Sequence, residues 1–291
     1  MPKKICYTDF IKSGEVFCMW QDLFSHMCIH LFFFIGVVYL VGFLISLINR
    51  AFYRLLGGGR FVCYATGLIG TPIHELSHAL MCLLFGHRIR EMRLFCLDRR
   101  SGVLGYVNHS YNRRNPYHVV GNYFIGIAPI VCGTLVLFLT MRWILPSAFA
   151  VCRDYLSDFV DWQGQGEVLR QVEGVGALFV SFLFVLYTEI CAGGWQIWVL
   201  LLLILSISIH MNLSGADIKG SLGALPLLGL LLLFCHVVAY LLPGDAYMAF
   251  VRALDLAGNY LAGMLMLSLT LSLMSLVPAL VIWLIKRPFT R

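Results

Sequence analysis

Four long stretches of this chain, residues 27 to 49, 119 to 141, 221 to 244 and 256 to 285, contain no Asp, Glu, Lys or Arg, and residues 61 to 86 contain only Glu75. A helix needs about 20 apolar residues to cross the hydrocarbon of a bilayer, and each stretch is long enough. In lipid the backbone of such a segment must satisfy its own hydrogen bonds, which restricts it to helix. Composition agrees, since 60% of the residues are hydrophobic and 12% charged, against about 45–50% and about 25% in soluble domains. The chain reads as an all-α polytopic membrane protein.

Charge in the connecting segments sets the expected topology. Residues 87 to 118 carry Arg88, Arg90, Arg93, Arg99, Arg100, Arg113 and Arg114, which the positive-inside rule assigns to the cytoplasm, so the second span runs inward. Residues 146 to 173 hold Arg153 and Arg170 against five acids. They read as an outer loop, with a short amphipathic surface helix marked by Tyr155, Leu156, Phe159 and Val160. Lys286, Arg287 and Arg291 favour a cytoplasmic C-terminus. Residues 174 to 213 are apolar apart from Glu189 but too long for one crossing, and Cys191-Ala192-Gly193-Gly194 divides them into two short helices. Six transmembrane helices result if 174 to 190 dips without crossing, and seven if it crosses; we take six.

Residues 1 to 26 read as a retained cytoplasmic tail of a multi-pass protein of the cell membrane. Between the second and third spans, Met92, Leu94 and Cys96 alternate, Asp98 to Gly102 is turn-like and Val103 to Tyr111 is β-rich, which predicts a small cytoplasmic β-hairpin. With no fixed-period repeat, residues 1–291 form a single membrane domain, with 61–220 as its core and 221–291 as C-terminal helices. The net charge of +6 lies in the loops and implies no nucleic acid. Ten cysteines without a C-x-x-C pair suggest neither a disulfide framework nor a cysteine zinc site.

The chemistry concentrates in His74-Glu75-Leu76-Ser77-His78. Residues four apart share a helix face, so both imidazoles can turn toward one ion while Glu75 sits slightly round the same turn. That is the H-E-x-x-H arrangement of zinc hydrolases, in which the carboxylate takes a proton from zinc-bound water and returns it to the leaving amine. A carboxylate near the bilayer centre costs about 2.5 to 3.5 kcal/mol, which weighs against a purely structural polar cluster. Zinc requires a third protein ligand. Asp217, where an apolar helix must break, is one candidate, although Ser214-x-x-Asp217 also matches a helix capping box. Glu189 is the other.

The Thr71 to Leu80 run in an apolar helix, the following hairpin, Gly126-Ile127-Ala128-Pro129 and His210-Met211-Asn212-Leu213-Ser214-Gly215-Ala216-Asp217 together resemble the site-2 protease family of intramembrane zinc metallopeptidases. The similarity, greatest to small bacterial members without a PDZ domain, covers residues 61 to about 220. It implies one zinc ion bound by His74, His78 and Asp217, with Glu75 as acid/base. It also implies that the hairpin edge adds a substrate strand through main-chain hydrogen bonds. The family's aspartate motif has Asn-Pro before the acid and Gly directly after it, whereas Asp217 is followed by Ile218-Lys219-Gly220.

Asn122 and Asn212 are candidates for substrate or oxyanion contacts, and His210 for a partner that orients a ligand. His30 and His236 have no companion acid in sequence and read as packing residues. The expected function is hydrolysis of a peptide bond in or near a transmembrane segment of a protein substrate, which must unwind locally to expose that bond. A membrane carrier or binding protein for a divalent metal, and an inactive membrane scaffold, are the alternatives.

Overall fold

The computed structural model describes residues 13–58, 60–97, 102–164 and 168–286, and these are mostly helical. Helix α1 (Ser13–Leu31) continues through a π-helical turn (Phe32–Val37) into α2 (Val38–Leu55), and α3 (Arg60–Leu84) follows. Strands β1 (Arg88–Arg93) and β2 (Tyr106–Ser110) form an antiparallel pair. Then come α4 (Pro116–Ile144), α5 (Pro146–Gly164), α6 (Val168–Cys191), α7 (Gln196–His210), α8 (Gly215–Leu241) and α9 (Ala246–Lys286).

Among the described residues, five helical segments are long and apolar enough to cross a membrane: Leu23–Leu55, Pro116–Ile144, Glu173–Cys191, Gly215–Leu241 and Ala246–Lys286. Helix α3 has the length but carries Thr66, Thr71, Glu75, Ser77 and His78, all buried inside the protein, and these lower its apolarity. The break at residues 192–195 is present, but its flanking helices are unequal. Helix α6 runs for 24 residues and α7 for 15, so residues 174 to 190 lie within one unbroken helix that is long and apolar enough to cross. The predicted outer loop is also helical. The Tyr155, Leu156 and Phe159 face of α5 is buried in the protein core instead of lying on a membrane surface.

The core gathers Ile45 of α2, Tyr123 and Ile130 of α4, Phe182 of α6, Leu200 and Ile204 of α7 and Leu271 of α9. Leu230, Phe234 and Leu241 of α8 and Val180, Phe184 and Tyr187 of α6 face outward, as lipid-facing residues do.

Polar side chains hold the helices in register. Asn49 of α2 donates to the carbonyl of Ile209 at 2.9 Å, which lies in the last turn of α7 and has no helical partner. Tyr123 of α4 donates to the carbonyl of Phe34 in the π-helical turn. Tyr39 of α2 donates to Ser221 of α8 at 2.8 Å, and Ser221 in turn donates to the carbonyl of Asp217 at 2.7 Å.

His30 and His236 are not simple packing residues, because a companion acid reaches them from α9. His30 Nε2 lies 3.0 Å from Asp255 Oδ1, and its Nδ1 lies 3.1 Å from His236 Nε2. The chain Asp255–His30–His236 therefore joins α9, α1 and α8. Sequence alone could not supply this acid, since Asp255 is 225 residues from His30.

A two-stranded hairpin forms, but its first strand, Arg88–Arg93, starts ahead of the alternating Met92, Leu94 and Cys96 and holds only Met92 of the three. Arg88 pairs with Ser110, Met92 with Val107 and Arg93 with Tyr106, with an irregularity between Ile89 and Glu91. An added hydrogen bond from Cys96 N to Leu104 O at 2.6 Å extends the pairing. Of the expected turn, Asp98 to Ser101 lie outside the described residues.

Candidate metal centre

Two glycines let the helices around α3 come close enough to build a site. A Cβ on Gly70 of α3 would lie 2.1 Å from the backbone oxygen of Ser206 in α7. One on Gly126 of α4 would lie 2.7 Å from the backbone oxygen of Asp217 in α8. Both contacts are with backbone, so only glycine fits. They bring the end of α7 and the start of α8 against the face of α3 that carries His74 and His78.

Each imidazole is oriented by a backbone carbonyl that its own helix leaves free. His74 Nδ1 donates to the carbonyl of His210 at 2.6 Å; His210 is the last residue of α7, so that carbonyl has no helical partner. His78 Nδ1 donates to the carbonyl of Ile125 at 2.8 Å. In a regular helix that carbonyl would bond the amide of residue 129, but residue 129 is proline and has none. A carbonyl can only accept, so both neutral rings carry their proton on Nδ1 and leave a lone pair on Nε2.

The two Nε2 atoms lie 3.1 Å apart, and with both rings neutral neither has a hydrogen to share. Asp217 Oδ1 is 3.3 Å from His78 Nε2, and its Oδ2 is 3.9 Å from His74 Nε2. His74, His78 and Asp217 thus bring three electron-pair donors within 4.8 Å of one another. With both rings neutral, three acceptors without a shared donor repel unless a metal ion or an added proton lies between them. Zn–N bonds of 2.0–2.1 Å in a tetrahedron separate ligand atoms by about 3.3 Å, so the donor spacing suits such an ion.

Both sequence readings of Asp217 coexist in its two oxygens. Oδ2 accepts from Ser214 N at 2.7 Å while Ser214 Oγ accepts from Asp217 N at 3.1 Å, which completes the capping box of α8. Oδ1 is left to face the imidazoles. The rival acid Glu189 instead accepts from Ser147 Oγ at 2.8 Å and is not among the residues grouped with His74 and His78.

Glu75 is buried and lines a cavity of about 370 Å³ together with His74, His78, Asp217 and Asn122. Four consecutive residues of β2, Tyr106 to His109, form its other wall. Asn122 donates through Nδ2 to Val119 O at 3.4 Å. Asn212 is exposed and lies in an adjoining cavity, with Thr71, His74 and Glu75. His210 meets His74 through its carbonyl and not through its ring. Its own Nδ1 lies 3.0 Å from Ser206 O.

The sequence reading missed a second group. Cys82, His87 and His109 also place three donor atoms within 4.8 Å of one another and could hold an ion, a grouping that the spacing of the cysteines among themselves does not suggest. The available signal was the spacing along α3, where Cys82 follows His78 by four residues, as His78 follows His74. The imidazoles of His87 and His109 lie outside the apolar helices. Burial pushes both below the ordinary histidine range, and His109 is held down further by its neighbours His87 and His78.

Compared with known proteins, the chain matches no family model, no curated protein and no solved structure.

Proposed function

We propose that this chain is an intramembrane zinc metallopeptidase that hydrolyses a peptide bond in or near a transmembrane segment of a protein substrate. One observation carries the reading: two Nε2 lone pairs and a carboxylate oxygen converge, and a second carboxylate, Glu75, stays outside that set but in the same cavity. Zinc held by His74, His78 and Asp217 would act as a Lewis acid toward water and the peptide carbonyl. Glu75 accepts the proton of the attacking water and delivers it to the amine as the peptide bond breaks. The amide of Asn122, on the cavity wall, is available to the substrate carbonyl.

The length of β2 along that wall supports recognition of an extended substrate, which would pair with it through main-chain hydrogen bonds. In this reading α3 crosses the membrane with the five more apolar segments, the Arg-rich hairpin lies on the cytoplasmic side, and the substrate helix unwinds before entering. The resemblance to the site-2 protease family rests on the same residues and supports the same roles.

The test is metal analysis of detergent-purified wild type beside His78→Ala and Asp217→Ala, with cleavage of a transmembrane-helix reporter carrying a helix-breaking pair. Wild type retains zinc and both variants lose it, whereas Glu75→Gln keeps the metal and loses cleavage. A Glu75→Gln variant as active as wild type would rule out the peptidase reading and leave a metal carrier. A wild type without metal would leave a scaffold.

A further inference from the structure

The end of α3 is built so that a cysteine and a histidine five residues apart meet. Gly86 takes a positive φ of 69°, a conformation that glycine adopts without strain. The amide of His87 then bonds the carbonyl of Cys82 at 2.8 Å, and that of Gly86 bonds Leu83 O at 3.2 Å. This pair of bonds is a Schellman ending, which reverses the chain and folds the residue after the glycine back over the last turn. Cys82 and His87 are both buried there, at 0% and 4% exposure.

Surrounding groups fix the ring of His87 and bring a second imidazole to it. His87 Nε2 donates to the carbonyl of His118 at 2.8 Å, so in the neutral ring Nδ1 carries the lone pair. His109, from β2, presents its own Nδ1 3.0 Å away. His109 also lines the large cavity, which gives the group a route to the outside.

From this geometry we propose that Cys82, His87 and His109 form a second metal site, for a zinc-class d10 cation, one helical turn beyond the first. A thiolate and two imidazoles are soft to borderline donors that suit zinc, and the absence of carboxylates from the trio disfavours magnesium and calcium. Binding removes the Cys82 thiol proton to water, so each cation taken up at this site releases one proton and forms a metal–sulfur bond. The proposal uses no residue of the His74, His78 and Asp217 set and stands whether or not the chain is a peptidase. The competing arrangement is a neutral pair in which His109 Nδ1–H donates to His87 Nδ1 and no ion binds.

The experiment loads detergent-purified full-length chain with Zn2+ for counting and with Co2+ as a spectroscopic probe. Wild type is expected to hold two ions per chain and to show a cobalt–thiolate charge-transfer band in the near ultraviolet. Cys82→Ser removes the band and one ion, and His109→Gln does the same from the hairpin side, which guards against a packing defect in α3. His78→Ala loses an ion but keeps the band. If wild type holds one ion, lost with the band in Cys82→Ser but not in His78→Ala, this site stands and the peptidase reading fails. A wild type without the band, a band that survives Cys82→Ser, or a monodisperse His109→Gln variant that keeps both ions would overturn the proposal.

Discussion

His78 reaches the carbonyl of Ile125 at 2.8 Å because Pro129, one turn further along α4, has no amide hydrogen to occupy it. A helix defect in one element thus becomes the hydrogen-bond acceptor for an imidazole in another. The same economy operates at His74, whose acceptor is the last carbonyl of α7.

Pro129→Ala should restore the competing amide while leaving every donor atom of the centre in place. Partners that orient a metal ligand are worth about 10–100-fold in affinity, so zinc competition against a chelator should show a loss within that range. Unchanged affinity would mean that the freed carbonyl does not orient His78.

Gly126→Val should force α4 and α8 apart. Its Cβ would sit 2.7 Å from the backbone oxygen of Asp217 and from Ser221 Cβ, and overpacking of this kind costs about 1–3 kcal/mol. A lower melting temperature in detergent and loss of retained zinc are expected together. Gly223→Ala, with nothing within 4 Å of the added carbon, should be neutral or stabilising by up to about 1 kcal/mol.

His30→Ala should remove the link between Asp255 and His236 and leave the buried Nε2 of His236 without its partner. Such a loss costs about 1–3 kcal/mol, measurable as reduced thermal stability without any change in zinc content. Stability equal to wild type would reduce the three-residue chain to a packing feature.

In the metal-free chain the imidazoles of His87 and His109 should titrate below about 6.5, the ordinary histidine value, because burial disfavours their charged forms. The unfolded chain takes up those protons first, so the contribution to stability is complete above that pH and falls as the pH drops below it. Titration of the ring protons by NMR checks the order. A midpoint at or above 6.5 for both rings would contradict it.

The apolar stretches were legible because lipid imposes a single solution on them, and the H-E-x-x-H pair because helix periodicity fixes its face. The second strand of the hairpin was legible from its β-rich residues, whereas the first lies mostly ahead of the alternating Met92, Leu94 and Cys96. Asp217 could be singled out as a helix-breaking acid, but its approach to His78 depends on Gly126, whose role shows only when α8 is beside it. Asp255 was out of reach because no local pattern links it to His30. The α5 segment misled because an amphipathic spacing does not say whether the apolar face meets lipid or protein. Cys82 was passed over because a cysteine in an apolar run reads as a small hydrophobe, and its partner His109 returns from the far strand of the hairpin.

The capping box of α8 also bears on how the centre would acquire an ion. Asp217 is fastened by the first turn of its own helix through Ser214, so its position does not depend on cargo. With both rings already clamped by carbonyls, loading would amount to filling a finished socket. Exchange in the mature protein should therefore proceed without the folding transition that accompanies metal uptake in small zinc domains.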